Sequence, residues 1–237
     1  MTRGILIAGN ESSLFSAAAT EALKRVESFA SVSIPNRFPS PEEKVVMPAA
    51  GESAAGAIPL SWNPASPISA RTLVLSAENR LKQINNAIIV CSPPAVFKTA
   101  ETLSPDEIEI LVNDHIKGWF FLIREFFLYF RRRGEGSLSL VAPEILPGSG
   151  ANTVSKNAPA DLVGPSASAS FRAFASGILA QSGSASRSGE PFQVMGFTSA
   201  EAGSERDFAE WFFKIIDEDA GKNSGRWHKY PKLKLFR

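Results

Sequence analysis

Short apolar runs alternate along the chain with stretches in which apolar residues recur every three or four positions, a pattern that predicts strands and helices in turn. Gly4-Ile-Leu-Ile-Ala-Gly9 is apolar and ends in glycine, and Ser12 to Val26 follows with alanines and leucines at helical spacing. Together they predict a strand, a tight turn and a helix. Ser31 to Ile34 predicts a second strand closed by Pro35, and residues 38 to 57, rich in Pro, Ala, Gly and Glu, predict a long irregular connection. Ser69 to Ile84 has helical spacing and leads into Ala87 to Cys91. That almost continuous apolar run before Ser92-Pro93-Pro94 suits a central parallel strand buried on both faces.

Ser104-Pro105-Asp106-Glu107 reads as a helix start, with Ser104 as cap, proline in the first turn and two acids at the positive end of the dipole. The helix is expected to run to about Arg133. Its stripe of Val112, Ile116, Trp119, Ile123, Phe126 and Phe130 forms one face, while Phe121 and Leu128 project from nearly the opposite one. A helix apolar on two sides needs either two packed neighbours, its own sheet and another subunit, or a loop over the second side. Ser137 to Val141 predicts the next strand, residues 147 to 168 a long loop, Ala167 to Gln181 a helix of mostly small residues, and Phe192 to Phe197 a further strand. Glu205 to Asp217 is an amphipathic helix, and Gly225 begins a last strand-like segment. This order predicts an α/β fold: a Rossmann-like, doubly wound parallel sheet with helices on both faces.

With 237 residues, 44% of them hydrophobic and 21% charged, the chain has the length of one α/β domain spanning 1–237. Lysine plus arginine total 25 against 24 acids, so the net charge of +1 supplies no electrostatic reason to expect nucleic acid or a membrane as partner. The last residues mix Arg226, Lys229, Lys232, Lys234 and Arg237 with Trp227, Tyr230 and Phe236, which describes an edge strand with one wet face as well as it describes a nucleic-acid contact. One cysteine, Cys91, and two histidines, His115 and His228, rule out a disulfide framework and point away from a zinc cluster, so no metal is expected. The apolar run at the start is too short for a secretory signal, and Gly118 to Phe130 falls short of a membrane span, so the cytoplasm is the expected location.

The stretch from Leu103 to Glu144, LSPDEIEILVNDHIKGWFFLIREFFLYFRRRGEGSLSLVAPE, resembles the long central helix of the short-chain dehydrogenase/reductase family, with its lysine-glycine pair at Lys117-Gly118 and the Gly-rich turn and strand that follow. KNSGRW, Lys222 to Trp227, is similar to the family's closing turn, and the order of elements agrees from Gly4 to about Trp227. The resemblance implies hydride transfer between a nicotinamide cofactor and a carbonyl or alcohol, carried by a tyrosine, a lysine four residues later, a serine and an asparagine. None of these stands at its place. The asparagine position falls on His115, and the serine position on Ala142 or Pro143, neither of which has a hydroxyl. The tyrosine and lysine positions fall on Gly164 and Ser168. No tyrosine occurs between Arg131 and Lys229, and Lys156 is the one lysine from Gly118 to Phe213, so a slipped alignment does not restore the pair.

The family's cofactor turn corresponds to Gly9, Asn10, Glu11, Ser12, Ser13, Leu14 and Phe15, where the first glycine is kept and the other two become Ser13 and Phe15. Phe15 is expected to fill space beside or within the groove, and Glu11 either faces the phosphates and repels them or is a solvated turn acid. Val90-Cys91-Ser92-Pro93 replaces the family's asparagine-alanine-glycine turn, and Arg37 stands where related proteins hold the extra phosphate of NADP. His115 is either a substitute acid/base or a satisfied structural histidine, Ser168 with Arg172 either an anion clamp or a helix surface pair, and Cys91 an inert buried thiol rather than a nucleophile. The expectation is a short-chain dehydrogenase/reductase-like protein without catalysis or cofactor, acting as a homodimeric or homotetrameric scaffold, regulator or ligand binder through the helices near 105–133 and 167–181. The alternative is an atypical NAD(P)-dependent oxidoreductase that uses His115 or Lys156; a third option is a subunit that completes an active partner of the same fold.

Overall fold

A computed structural model describes residues 3–25, 28–34, 37–38, 57–143, 161–185, 192–199, 204–218 and 223–230. Seven strands lie in one parallel sheet: β1 (Gly4–Asn10), β2 (Ser28–Ile34), β3 (Ile58–Pro59), β4 (Asn86–Val90), β5 (Ser137–Pro143), β6 (Gln193–Ser199) and β7 (Trp227–Lys229), in the order β3-β2-β1-β4-β5-β6-β7. The helices are α1 (Ser13–Leu23), α2 (Pro67–Leu81), α3 (Pro105–Val112), α4 (Gly118–Arg133), α5 (Val163–Ala185) and α6 (Glu205–Asp217).

Strand alternation sorts the core into two layers. Leu6, Ala8, Ile89 and Leu140 face α2, α4 and α5, while Ile5, Ile7, Ile88, Val141 and Phe197 face α1 and α6. A sheet covered on both sides explains why β4 is apolar at nearly every position. The doubly wound fold expected from the sequence is therefore present, with strand boundaries close to those expected. The two-residue β3 escapes a sequence reading because so short a strand has no period to detect.

The helix expected from Ser104 to Arg133 is present but not uniform. Ser104 and Glu107 form a reciprocal capping box, and between α3 and α4 the residues Asn113–Lys117 wind as a π-turn. The wider turn shifts the phase of everything before it. Trp119, Ile123, Phe126 and Phe130 are fully buried as the stripe predicts, but Val112 is exposed and the inward positions in the π-turn are Asp114 and His115. Phe121 packs against the core and Leu128 is exposed, so the second apolar side is smaller than expected.

Helix α5 begins at Val163, inside the stretch read as loop, because Asp161 supplies a cap that composition alone does not reveal: its Oδ1 accepts from the N–H groups of Val163 (3.1 Å) and Gly164 (3.0 Å). Its small residues let the closing turn approach. A Cβ on Gly225, which has φ +78°, would lie 2.5 Å from Gly183 Cα. The connection between residues 39 and 56, the loop around Lys156 and the basic tail after Tyr230 lie outside the described residues. Among the described residues no helix is long and apolar enough to cross a membrane.

Gly225→Ala is expected to cost about 2 kcal/mol, since it combines a left-handed backbone with a backbone clash. Urea denaturation of the purified variant measures it, and a loss below roughly 0.5 kcal/mol would show that the turn yields freely.

Candidate functional site

In this strand order the chain reverses its direction of growth between β1 and β4, and open α/β sheets bind ligands in the crevice at the carboxyl ends of the strands flanking such a reversal. Here that crevice is spanned by a side chain. Asn10, the last residue of β1 and only 2% exposed, accepts the Ser92 N–H through Oδ1 at 2.9 Å. This fixes the orientation of its amide, so Nδ2 is the donor to His115 Nδ1 at 3.0 Å. The neutral imidazole then carries its proton on Nε2, which is buried and has no hydrogen-bond partner among the described residues. His115 stacks on Phe38 with ring centroids 5.7 Å apart, and burial pulls its pKa down to about 4, with the Asp114 carboxylate opposing that shift and Arg37 adding to it.

The turn after β1 is equally occupied. Phe15 lies on Gly9 so closely that a Cβ there would meet its Cδ2 at 2.5 Å. Ser12 caps α1 by accepting the Phe15 N–H at 3.1 Å and donates to the Asn10 carbonyl. Ser13 donates to Glu205 Oε1 at 3.0 Å. Glu11 accepts from Ser33 Oγ at 3.2 Å and so sits over the end of β2. Arg37 is turned inward onto the fully buried Asp114, with Nε to Oδ2 at 2.7 Å. A buried carboxylate needs such a partner, so this arginine is committed to the fold although its own side chain is half exposed.

On the far side of the crevice, Pro143 ends β5 and Ala142 is buried beside it. At Gly164 a Cβ would lie 2.5 Å from Asp161 Oδ2, so the cap that starts α5 occupies the space a side chain would need. Ser168 is buried, whereas Arg172 donates to Thr198 Oγ1 at 3.2 Å and stacks on the Trp227 ring at 4.3 Å. The two do not form an anion clamp. Cys91 is fully buried, and burial pushes its thiol well up, away from the reactive thiolate. Among the described residues no cluster of three His, Cys, Asp or Glu side chains is placed to hold a metal. A cleft of about 310 Å³ lies at the opposite, N-terminal edge of the sheet, lined by Arg3, Asn85, Asn86, Ser137 and Gln193 among others.

No protein-family model matches the chain, and no curated protein matches it in sequence. Solved structures do match. A short-chain dehydrogenase from Bacillus anthracis str. 'Ames Ancestor' superposes with TM-score 0.66 at 12% identity, covering 96% of this chain and 94% of that one. A short-chain dehydrogenase/reductase from Serratia marcescens BCRC 10948 gives TM-score 0.65 at 11% identity over 96% of both chains. The fold is that of the short-chain dehydrogenase/reductases. Identity this low carries the fold of these proteins and leaves their chemistry to be argued from the residues.

The nicotinamide dinucleotide that the fold implies does not suit the residues present. Its diphosphate needs open backbone at the turn after β1, and that turn carries the Phe15 ring on Gly9, the Ser12 cap and the Glu205 carboxylate. Sequence reasoning named Asn10 and His115 but did not connect them. Ser92 and Glu205 enter the sequence reading only as parts of a turn and of a helix, and Phe38, Asp114 and Asp161 not at all as site residues. The sequence signal for Asp114 was its place beside His115 within an apolar helix, obscured by a stripe drawn without the π-turn.

Because His115 has a folded pKa of about 4 against 6.5 unfolded, the unfolded chain binds the extra proton between those values. Stability from this group is therefore complete above pH 6.5 and is lost as pH falls toward 4, by on the order of 3 kcal/mol. His115→Gln, whose side-chain oxygen can still accept from Asn10, is expected to flatten that part of the stability profile. Urea titrations at half-unit pH steps compare the two proteins; equal slopes would mean that His115 titrates normally.

Proposed function

We propose that this chain is a short-chain dehydrogenase/reductase-fold protein that has lost hydride transfer, binds no NAD(P), and serves as an oligomeric scaffold, regulatory subunit or binder of another ligand. The observation that carries this reading is the Asn10 amide joined to Ser92 and His115 across the switch-point crevice. Proton transfer in the fold's usual chemistry needs a hydroxyl where this chain has Ala142, Pro143 and Gly164, and a lysine ammonium where it has Ser168. The vestigial turn, Gly9 through Phe15, and Arg37 act here as structural parts of a closed edge. A single, buried cysteine is in keeping with a cytoplasmic protein.

One observation favours a second reading. Beside the crevice the His115 Nε2–H is a buried donor with no partner among the described residues, as expected of a group kept for a reacting oxygen in an atypical NAD(P)-dependent oxidoreductase. Its low basicity weighs against a proton-cycling role near neutral pH.

Thermal unfolding with NAD, NADH, NADP and NADPH at millimolar concentration separates the readings, since a ligand bound only by the native state raises the midpoint. The proposal expects no shift with any of the four. A clear shift with one, together with turnover that His115→Ala abolishes, would establish the enzyme instead.

For the assembly, α4 and α5 supply the surface: Leu128, Ala169, Ala173 and Gly177 are exposed, and a Cβ on Gly177 would meet nothing within 4 Å. A long charged side chain at Gly177 then fits the isolated chain but not a packed pair. Gly177→Arg is expected to convert a dimer or tetramer to monomer in sedimentation equilibrium. An unchanged mass would place the interface elsewhere.

A further inference from the structure

Helices α1 and α6 pack side by side on one face of the parallel sheet and both begin at its C-terminal edge. Their N-terminal ends, each the positive end of a helix dipole, are therefore neighbours. The first turn of α1 contains no acid of its own, whereas α6 begins with Glu205 and has Asp207 in the same turn. Glu205 reaches across and accepts the hydroxyl proton of Ser13, the first residue of α1, at 3.0 Å. The contact is exposed, so water would satisfy both groups equally well; it serves no buried need. What it does is to put one carboxylate at two helix N-termini.

We propose that Glu205 is a built-in counter-anion that keeps the first turn of α1 closed to external phosphate. The proposal rests on the reading of the crevice as closed and says how closure is divided: Asn10 and Phe15 by shape, Glu205 by charge. A phosphate that approached Ser13 and Leu14 would meet a fixed negative charge within hydrogen-bond range of the same serine, and like charges at that distance repel even in water. Ser13, which replaces a glycine of the family's turn, supplies the hydroxyl that anchors the carboxylate. The substitution thus does more than remove a flexible position.

The test is a titration of the full chain with inorganic pyrophosphate at fixed ionic strength, read from the backbone amide shifts of Ser13 and Leu14 by nitrogen–proton correlation NMR. Wild type and Glu210→Gln, a change on the exposed side of the same helix, are expected to show no saturable shift. Glu205→Gln keeps the size of the side chain and removes its charge, and is expected to bind with an apparent affinity at least roughly tenfold above wild type. Should that variant fail to fold, Glu205→Asp, which withdraws the charge by one methylene, carries the same comparison. Absence of saturation in the folded variant overturns the role of Glu205 while leaving the closed-crevice reading intact. Saturation in wild type, by pyrophosphate or in parallel by NAD, overturns that reading as well.

Discussion

The amide of Asn10 has two ends and both are used. Its oxygen holds the backbone of Ser92 just beyond β4, and its nitrogen holds the ring of His115 in the π-turn. Three separate stretches of chain, the end of β1, the start of the connection after β4 and the middle of the long helix, are pinned by one side chain that water scarcely reaches. In a low-dielectric setting such a chain of hydrogen bonds is costly to break at any single point, because the groups left behind are buried. The tautomer of His115, the inward turn of Asp114 and the recruitment of Arg37 as its partner all sit around that anchor.

The same edge shows what a shared architecture leaves undecided. Parallel strands in this order create a crevice whatever their side chains, and nothing in the backbone obliges a nucleotide to fill it. Two alternatives are built here on neighbouring elements. The polar groups of Asn10, Ser92 and His115 are paired with each other, and the Phe15 ring takes the space above Gly9. The outcome is an interior-like edge, with Phe38, Val96 and Val163 forming a small apolar cluster of their own.

Much of the architecture was legible in advance because it depends on local periodicity. β4 reads as an uninterrupted apolar run because helices cover it on both sides, and α6 reads as amphipathic from Phe208, Trp211, Phe212 and Ile215, of which Phe208 and Phe212 are fully buried while Trp211 and Ile215 are only partly so. The absence of tyrosine and lysine from the α5 region is a property of composition and survives any alignment. The site was less legible because it is made of contacts between residues far apart in the chain: Asn10 and His115 are 105 positions apart, and Ser13 and Glu205 are 192 apart. Val112 was misplaced for a different reason. A single π-turn changes the phase of a helix without changing its composition, so a stripe that is correct from Trp119 onward fails before it.

Gly9 illustrates what such rebuilding does to a sequence signature. In a dinucleotide-binding turn the first glycine is kept because the backbone must bend tightly beneath a ligand. In this chain the Phe15 ring rests where any side chain at position 9 would go, so glycine is required there by an aromatic neighbour. A smaller side chain at position 15 would remove the tightest of these contacts and leave the Val90 carbonyl, 3.0 Å from such a Cβ, as the constraint on position 9, so that strand β4 and helix α1 share the hold on this turn.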